Sequence, residues 1–128
     1  MTVNVVNHKD FLVTINGLLL DSRTVLDVGC GVGATLKDFT CPIKIGVDAH
    51  RPYLEHAKYG EQFIKLNFRA EHLSELFLPN SLDSVTLIDV IEHFEKGVAC
   101  DILSQVEEIA AKRVIVLYSK GLFSTARC

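Results

Sequence analysis

Apolar and polar positions along this chain switch repeatedly between a helical period and short strand-like runs. In "HKDFLVTINGLLLDS" Phe11, Leu12, Ile15, Leu18 and Leu19 recur at helical spacing, with Asn7 placed to cap, so residues 1–22 are expected to form an N-terminal helix. Thr24–Val28 is a short β-branched, apolar run, closed by a turn with three glycines in five positions. A short helix is expected over Ala34–Phe39, ended by "CP". Ile43–Asp48 predicts a second strand, and "RPYLEHAKYG" a helix with Pro52 in its first turn and Gly60 near its end. "QFIKL" predicts a third strand, "AEHLSELF" a short helical turn, and Leu82–Val90 a fourth strand. Val98, Ile102, Leu103, Val106, Ile109 and Ala110 share one face of an amphipathic helix, and Arg113–Ser119 is the fifth strand.

Strands alternating with helices imply βαβ crossovers and a parallel sheet covered on both faces, a doubly wound α/β domain. Composition agrees without adding a partner. The net charge of −3, with no local cluster of Lys and Arg, leaves no footprint for nucleic acid. The longest apolar runs, such as "VIVLY", are far too short to span a bilayer, and the start lacks the pattern of a secretory signal. A cytoplasmic protein with no membrane partner is expected. Cys30, Cys41, Cys100 and Cys128 have no metal-ligand spacing and are read as reduced thiols.

In such sheets ligands bind outside the carboxyl ends of the strands. Those ends are acidic here: Asp27 before the glycine turn, Asp48 after the second strand, and Asp89 followed by Glu92 and His93 after the fourth. Two ligand classes fit. Gly29, Gly31 and Ala34 satisfy a G-x-G-x-x-A fingerprint, with Asp48 where a ribose-binding carboxylate of a dinucleotide site belongs. Asp27 speaks against a pyrophosphate, because it sets a negative charge beside the turn that would receive one. A cationic ligand without phosphate fits better.

"VLDVGCGVG", "IGVDAH" and "LIDVIEHF", in this order on successive strands, resemble the motifs of the class I S-adenosylmethionine-dependent methyltransferases over roughly residues 20 to 119. The resemblance implies a three-layer, Rossmann-like domain with strand order 3-2-1-4-5, a cofactor-binding core over 23–119 and a tail over 120–128. It implies S-adenosyl-L-methionine as cofactor. Asp27, Gly29, Cys30, Gly31 and Gly33 would then lie at its amino-acid and sulfonium end. Asp48 would hold the ribose hydroxyls, Ala49 would border the adenosine, and the backbone of Asp89 and Val90 would line the methionine side. Many relatives have an acidic residue after the third strand for the adenine amino group. Arg69 stands there in this chain beside Ala70, which leaves adenine to backbone groups or Glu71. Relatives also continue past the fifth strand with a helix and an antiparallel strand pair. Without these the "VIVLY" edge needs a cover, either "KGLFSTARC" or a second copy of the chain.

His93 is of the residue type suited to act as a base for an acceptor that must lose a proton, and is alternatively a loop imidazole bonded to Glu95. Asp89, Glu92 and His93 also have the D-x-x-E-H spacing of a divalent-metal motif in some relatives. The expected activity is methyl transfer to a small molecule. The alternatives are a cofactor-binding module without catalysis and a small NAD-type domain.

Overall fold

Thr24–Val28, the run ahead of the glycine turn, is a central strand of a six-stranded parallel sheet. The computed structural model describes residues 2–6, 11–57 and 62–118. Its strands are β1 (Thr2–Val6), β2 (Thr24–Val28), β3 (Ile43–Asp48), β4 (Ile64–Asn67), β5 (Leu82–Ile88) and β6 (Ala110–Leu117). They lie in the order β1-β6-β5-β2-β3-β4. Counted from Thr24, the last five run 3-2-1-4-5 as expected. The helices are α1 (Phe11–Leu18), α2 (Arg51–Glu55) and α3 (Lys96–Ile109). Among the described residues no helix is long and apolar enough to cross a membrane.

The N-terminal segment differs from its sequence reading. Residues 1–22 are not one helix: Thr2–Val6 is a strand, and the helix runs only over Phe11–Leu18. "TVNVV" is β-branched at four of five positions, which suits a strand, and the helical spacing starts only at Phe11. β1 lies parallel to β6, from Thr2 opposite Arg113 to Val6 opposite Leu117. The edge read as exposed therefore carries a strand of the same chain, and pairing of two copies through it loses its basis. Asn7, Gly60, Ser119 and the tail 120–128 fall outside the described residues.

Other differences are local. The helix expected over Ala34–Phe39 is a single 3-10 turn, Leu36–Asp38. Ala110, counted on the helix face, instead opens β6, because α3 passes into the strand without a loop. Cys30 and Cys41 are free and buried, but Cys100 is disulfide-bonded, which corrects the reading of every cysteine as a reduced thiol.

Two apolar layers flank the sheet, and the alternation along β2 feeds both. Leu26 and Val28 join Ile102, Leu103, Val106 and Ile109 of α3 in one layer. Val25 joins Ile15 and Leu19 from the α1 region in the other, with Cys30, Leu36, Phe39 and Phe63. At the far end of the sheet from the glycine turn, Arg113 forms a two-pronged ion pair with Asp21, and Lys112 bonds the Asp21 carbonyl oxygen. These contacts tie the end of the α1 segment to β6.

Candidate functional site

β2 lies between β3 and β5, so the chain leaves it toward one side of the sheet and returns on the other. That reversal opens a crevice at the carboxyl ends of the strands. A cavity of about 330 Å³ occupies it, within the size range of small-ligand sites. The loop after β2 forms one wall. Gly29, Gly31 and Gly33 all adopt positive φ, at 73°, 57° and 85°. At Gly29 a Cβ would stand 2.7 Å from Cγ2 of Val90, so the bare backbone lets the loop close onto the β5 end.

Asp48 holds this loop in place. Its Oδ2 accepts the Gly31 N–H at 2.8 Å and its Oδ1 the His50 N–H at 2.8 Å. The second bond spans two residues and closes a turn ahead of α2. His50, not Asp48, stands at the N-cap of that helix. Next to Asp48, Ala49 and Tyr53 line the cavity, and Asn67 bonds the Asp48 and Ala49 carbonyls from β4. Phe68, Ala70 and Glu71 close the side beyond β4. Glu71 accepts an Arg69 guanidinium bond at 3.2 Å. Its carboxyl is held below the usual range first by its own backbone N–H and then by Arg69, against the effect of burial.

The β5 end supplies Asp89, Val90, His93 and Phe94. Asp89 has φ of 54°, a left-handed conformation uncommon for a side chain with a Cβ, and its N–H is anchored to the Leu117 carbonyl at 2.7 Å. One carboxylate oxygen of Asp89 is buried with no hydrogen-bond partner. His93 is exposed at the rim, and no hydrogen bond joins its ring to Glu95 among the described residues.

Of the residues expected from sequence, Gly29, Gly31, Asp48, Ala49, Ala70, Asp89, Val90 and His93 line the cavity, while Asp27, Cys30 and Gly33 do not. Asp27 is 4% exposed, and its Oδ1 accepts the Thr86 hydroxyl at 2.7 Å. Burial, opposed by the Thr86 bond and reinforced by the charge of Asp48, pushes its carboxyl up to about 7. Burial likewise pushes the Cys30 thiol up to about 12, with Asp27 and Asp48 adding to it, so the thiol stays protonated and inert. Gly33 meets the core instead of the cavity: a Cβ there would lie 2.3 Å from Cε1 of Phe63. The D-x-x-E-H spacing does not assemble a centre. Among the described residues, no group of three His, Cys, Asp or Glu side chains is arranged to hold a metal ion. Val28, Val47, Tyr53, Phe68 and Phe94 were missed by sequence reasoning. Four of them sit at or just beyond a strand end or a strand-end turn, and that position was their only signal.

Gly46, in the middle of β3, has a similar fit. A Cβ on it would stand 2.7 Å from Sγ of Cys30 and 2.9 Å from Cε2 of Phe63. The ring of Phe63 thus fills the space left open by both Gly33 and Gly46, beneath the loop. Gly46→Ala should cost about 1–3 kcal/mol in chemical denaturation through overpacking. Adding Phe63→Leu should cost less than the sum of the two single changes. Strict additivity would mean that the ring does not fill this space.

A family model for the methyltransferase domain matches residues 26–118. No curated protein matches the chain. Among solved structures, magnesium protoporphyrin IX methyltransferase from Synechocystis, with bound SAM, aligns at a TM-score of 0.68 and 21% identity over 85% of this chain and 57% of its own. The YcgJ protein of Bacillus subtilis aligns at 0.66 and 26%, over 80% and 47%. CalS10, a SAM-bound amino pentose methyltransferase from Micromonospora echinaspora, aligns at 0.67 and 20%, over 80% and 44%. The chain spans about half the length of these solved relatives.

Proposed function

Because the chain belongs to the methyltransferase-domain family, we propose that it binds S-adenosylmethionine in the cavity at the strand ends and methylates a small molecule. One observation carries this reading. Three carboxylates, Asp48, Glu71 and Asp89, line the cavity, and among the described residues no Lys or Arg does. A pyrophosphate would meet only repulsion there, whereas a ligand with a sulfonium and an ammonium meets opposite charge. The cofactor supplies a methyl group on positively charged sulfur.

Each carboxylate oxygen of Asp48 bonds one backbone N–H and keeps a lone pair for a ribose hydroxyl. Ala49, Tyr53, Phe68 and Ala70 flank the adenine, and Glu71, kept ionised, accepts from its amino group. Gly29, Gly31 and the backbone of Asp89 and Val90 bound the methionine end. Asp27, Cys30 and Gly33 act from beneath, by fixing the loop. His93 stands at the rim, where an acceptor enters and a base is useful if the acceptor must lose a proton. Two of the solved relatives act on magnesium protoporphyrin IX and an amino pentose, both small molecules, which supports an acceptor of that size.

Calorimetric titration with S-adenosylmethionine, S-adenosylhomocysteine and NAD tests the reading. The first two should bind and NAD should not. Binding of NAD alone would sink it. Cofactor binding without turnover on a panel of small-molecule acceptors would favour a binding module without catalysis.

A further inference from the structure

Where β5 and β6 end, just past the cavity, several polar atoms are left unserved. Both carboxylate oxygens of Glu92, one of Asp89 and the hydroxyl of Tyr118 are shut off from solvent without a hydrogen-bond partner. They are neighbours by construction. Ile88 pairs with Leu117 across β5 and β6, so the next residues, Asp89 and Tyr118, continue that register past the strand ends. The Asp89 N–H bond to the Leu117 carbonyl holds the two ends together. Glu92 lies in the 3-10 turn Ile91–His93 that follows. Its charge reaches Tyr118, whose phenol is raised first by burial and then by Glu92. No hydrogen bond joins the Tyr118 hydroxyl to the Glu92 carboxylate.

Unpaired buried carboxylates are costly, and no Lys, Arg or His forms an ion pair with Asp89 or Glu92 among the described residues. Three of the four orphan atoms are carboxylate oxygens, which only accept. The missing complement is therefore positively charged and offers several N–H donors. Asp89 belongs to the cavity wall as well, with His93 and Phe94 beside it, so the orphan atoms adjoin the site already described.

We propose that Glu92 and Tyr118, with Asp89 as the shared wall, form the acceptor subsite and take the ammonium group of an amine substrate. This identification of the substrate class rests on the cavity holding the methyl donor. Glu92 and Asp89 supply the opposite charge, and the Tyr118 hydroxyl supplies an oxygen acceptor that selects N–H donors by geometry. A carboxylate-bearing acceptor is repelled, and a neutral alcohol leaves both negative charges uncompensated.

The test uses the full chain with benzylamine, benzyl alcohol and benzoate as probes, each with and without S-adenosylhomocysteine. With S-adenosylhomocysteine present, benzylamine should bind at least about tenfold more tightly than benzyl alcohol, and benzoate should not bind. Glu92→Gln should weaken benzylamine by about tenfold or more and leave S-adenosylhomocysteine affinity within about twofold. Since the change removes an unpaired buried charge, the variant should melt no lower than the parent. The chain has three tyrosines and no tryptophan, so the ultraviolet titration of Tyr118 is read as the difference between the parent and Tyr118→Phe. Benzylamine should lower that phenol's midpoint, by offsetting the Glu92 charge. Equal binding of amine and alcohol, no amine binding, an unaffected Glu92→Gln variant, or one that melts lower would each overturn the proposal. The two readings fail separately. If benzylamine shifts Tyr118 but S-adenosylhomocysteine does not bind, the cofactor assignment falls. If only S-adenosylhomocysteine binds, the amine subsite falls.

Discussion

Asp27→Asn should raise the unfolding free energy by several kcal/mol at pH 8 and change it little at pH 4. The carboxyl is 4% exposed and accepts a hydrogen bond from Thr86. Burial lifts it to about 7 in the folded chain, against roughly 3.9 for an unperturbed Asp in the unfolded one. Below about pH 4 both states carry the proton, and Asp27 costs nothing. As pH rises from about 4 to about 7, the unfolded state ionises while the folded state keeps its proton, so stability is progressively lost. Above about 7 both are ionised and the loss levels off, at a total on the order of 4 kcal/mol. Asparagine keeps the shape and an oxygen to accept the Thr86 bond, and it never ionises. Urea denaturation of parent and variant across this range measures the difference directly. Parallel stabilities at every pH would refute the account. The same variant should lose affinity for S-adenosylmethionine more than for S-adenosylhomocysteine, whose sulfur is uncharged, because the lost charge lies beneath the loop.

Asp27 also shows what the sequence could and could not reveal. It was the residue that argued for a cationic ligand and against phosphate, yet its carboxylate is buried beside Thr86 and does not line the cavity. The conclusion stands on other carboxylates. Asp48 was expected, because it ends a strand with an unmistakable β-branched pattern. Glu71 entered only as an alternative to Arg69, because the sequence does not reveal which side of a 3-10 turn faces a cavity. The strands from Thr24 onward were legible because buried parallel strands are short apolar runs with sharp ends. β1 was not, since its partner β6 lies more than a hundred residues away and "TVNVV" merged with the helical pattern that follows. Gly33 was assigned to the ligand because it belongs to the glycine motif. What it meets is the ring of Phe63, a contact between segments thirty residues apart that no local pattern encodes.

Asp48→Ala should weaken S-adenosylmethionine by at least about a hundredfold, near 3 kcal/mol, which is the scale of two lost charge-assisted hydrogen bonds. Two effects contribute. The carboxylate fixes the Gly31 and His50 amides at 2.8 Å each, so its loss frees the loop that forms one wall of the cavity. It also removes the acceptors proposed for the ribose hydroxyls. Asp48→Asn should fall between parent and alanine, because its one oxygen can serve only one of the two amides and its NH₂ group meets the other donor to donor. A ligand pair separates the two effects. The parent should bind adenosine more tightly than 2′,3′-dideoxyadenosine, and Asp48→Ala should bind the two alike, since the carboxylate that reads the hydroxyls is gone. If Asp48 serves only to hold the loop, the alanine variant will bind both nucleosides more weakly but keep the parent's preference between them. An unchanged preference therefore rejects the ribose role even where overall affinity has dropped.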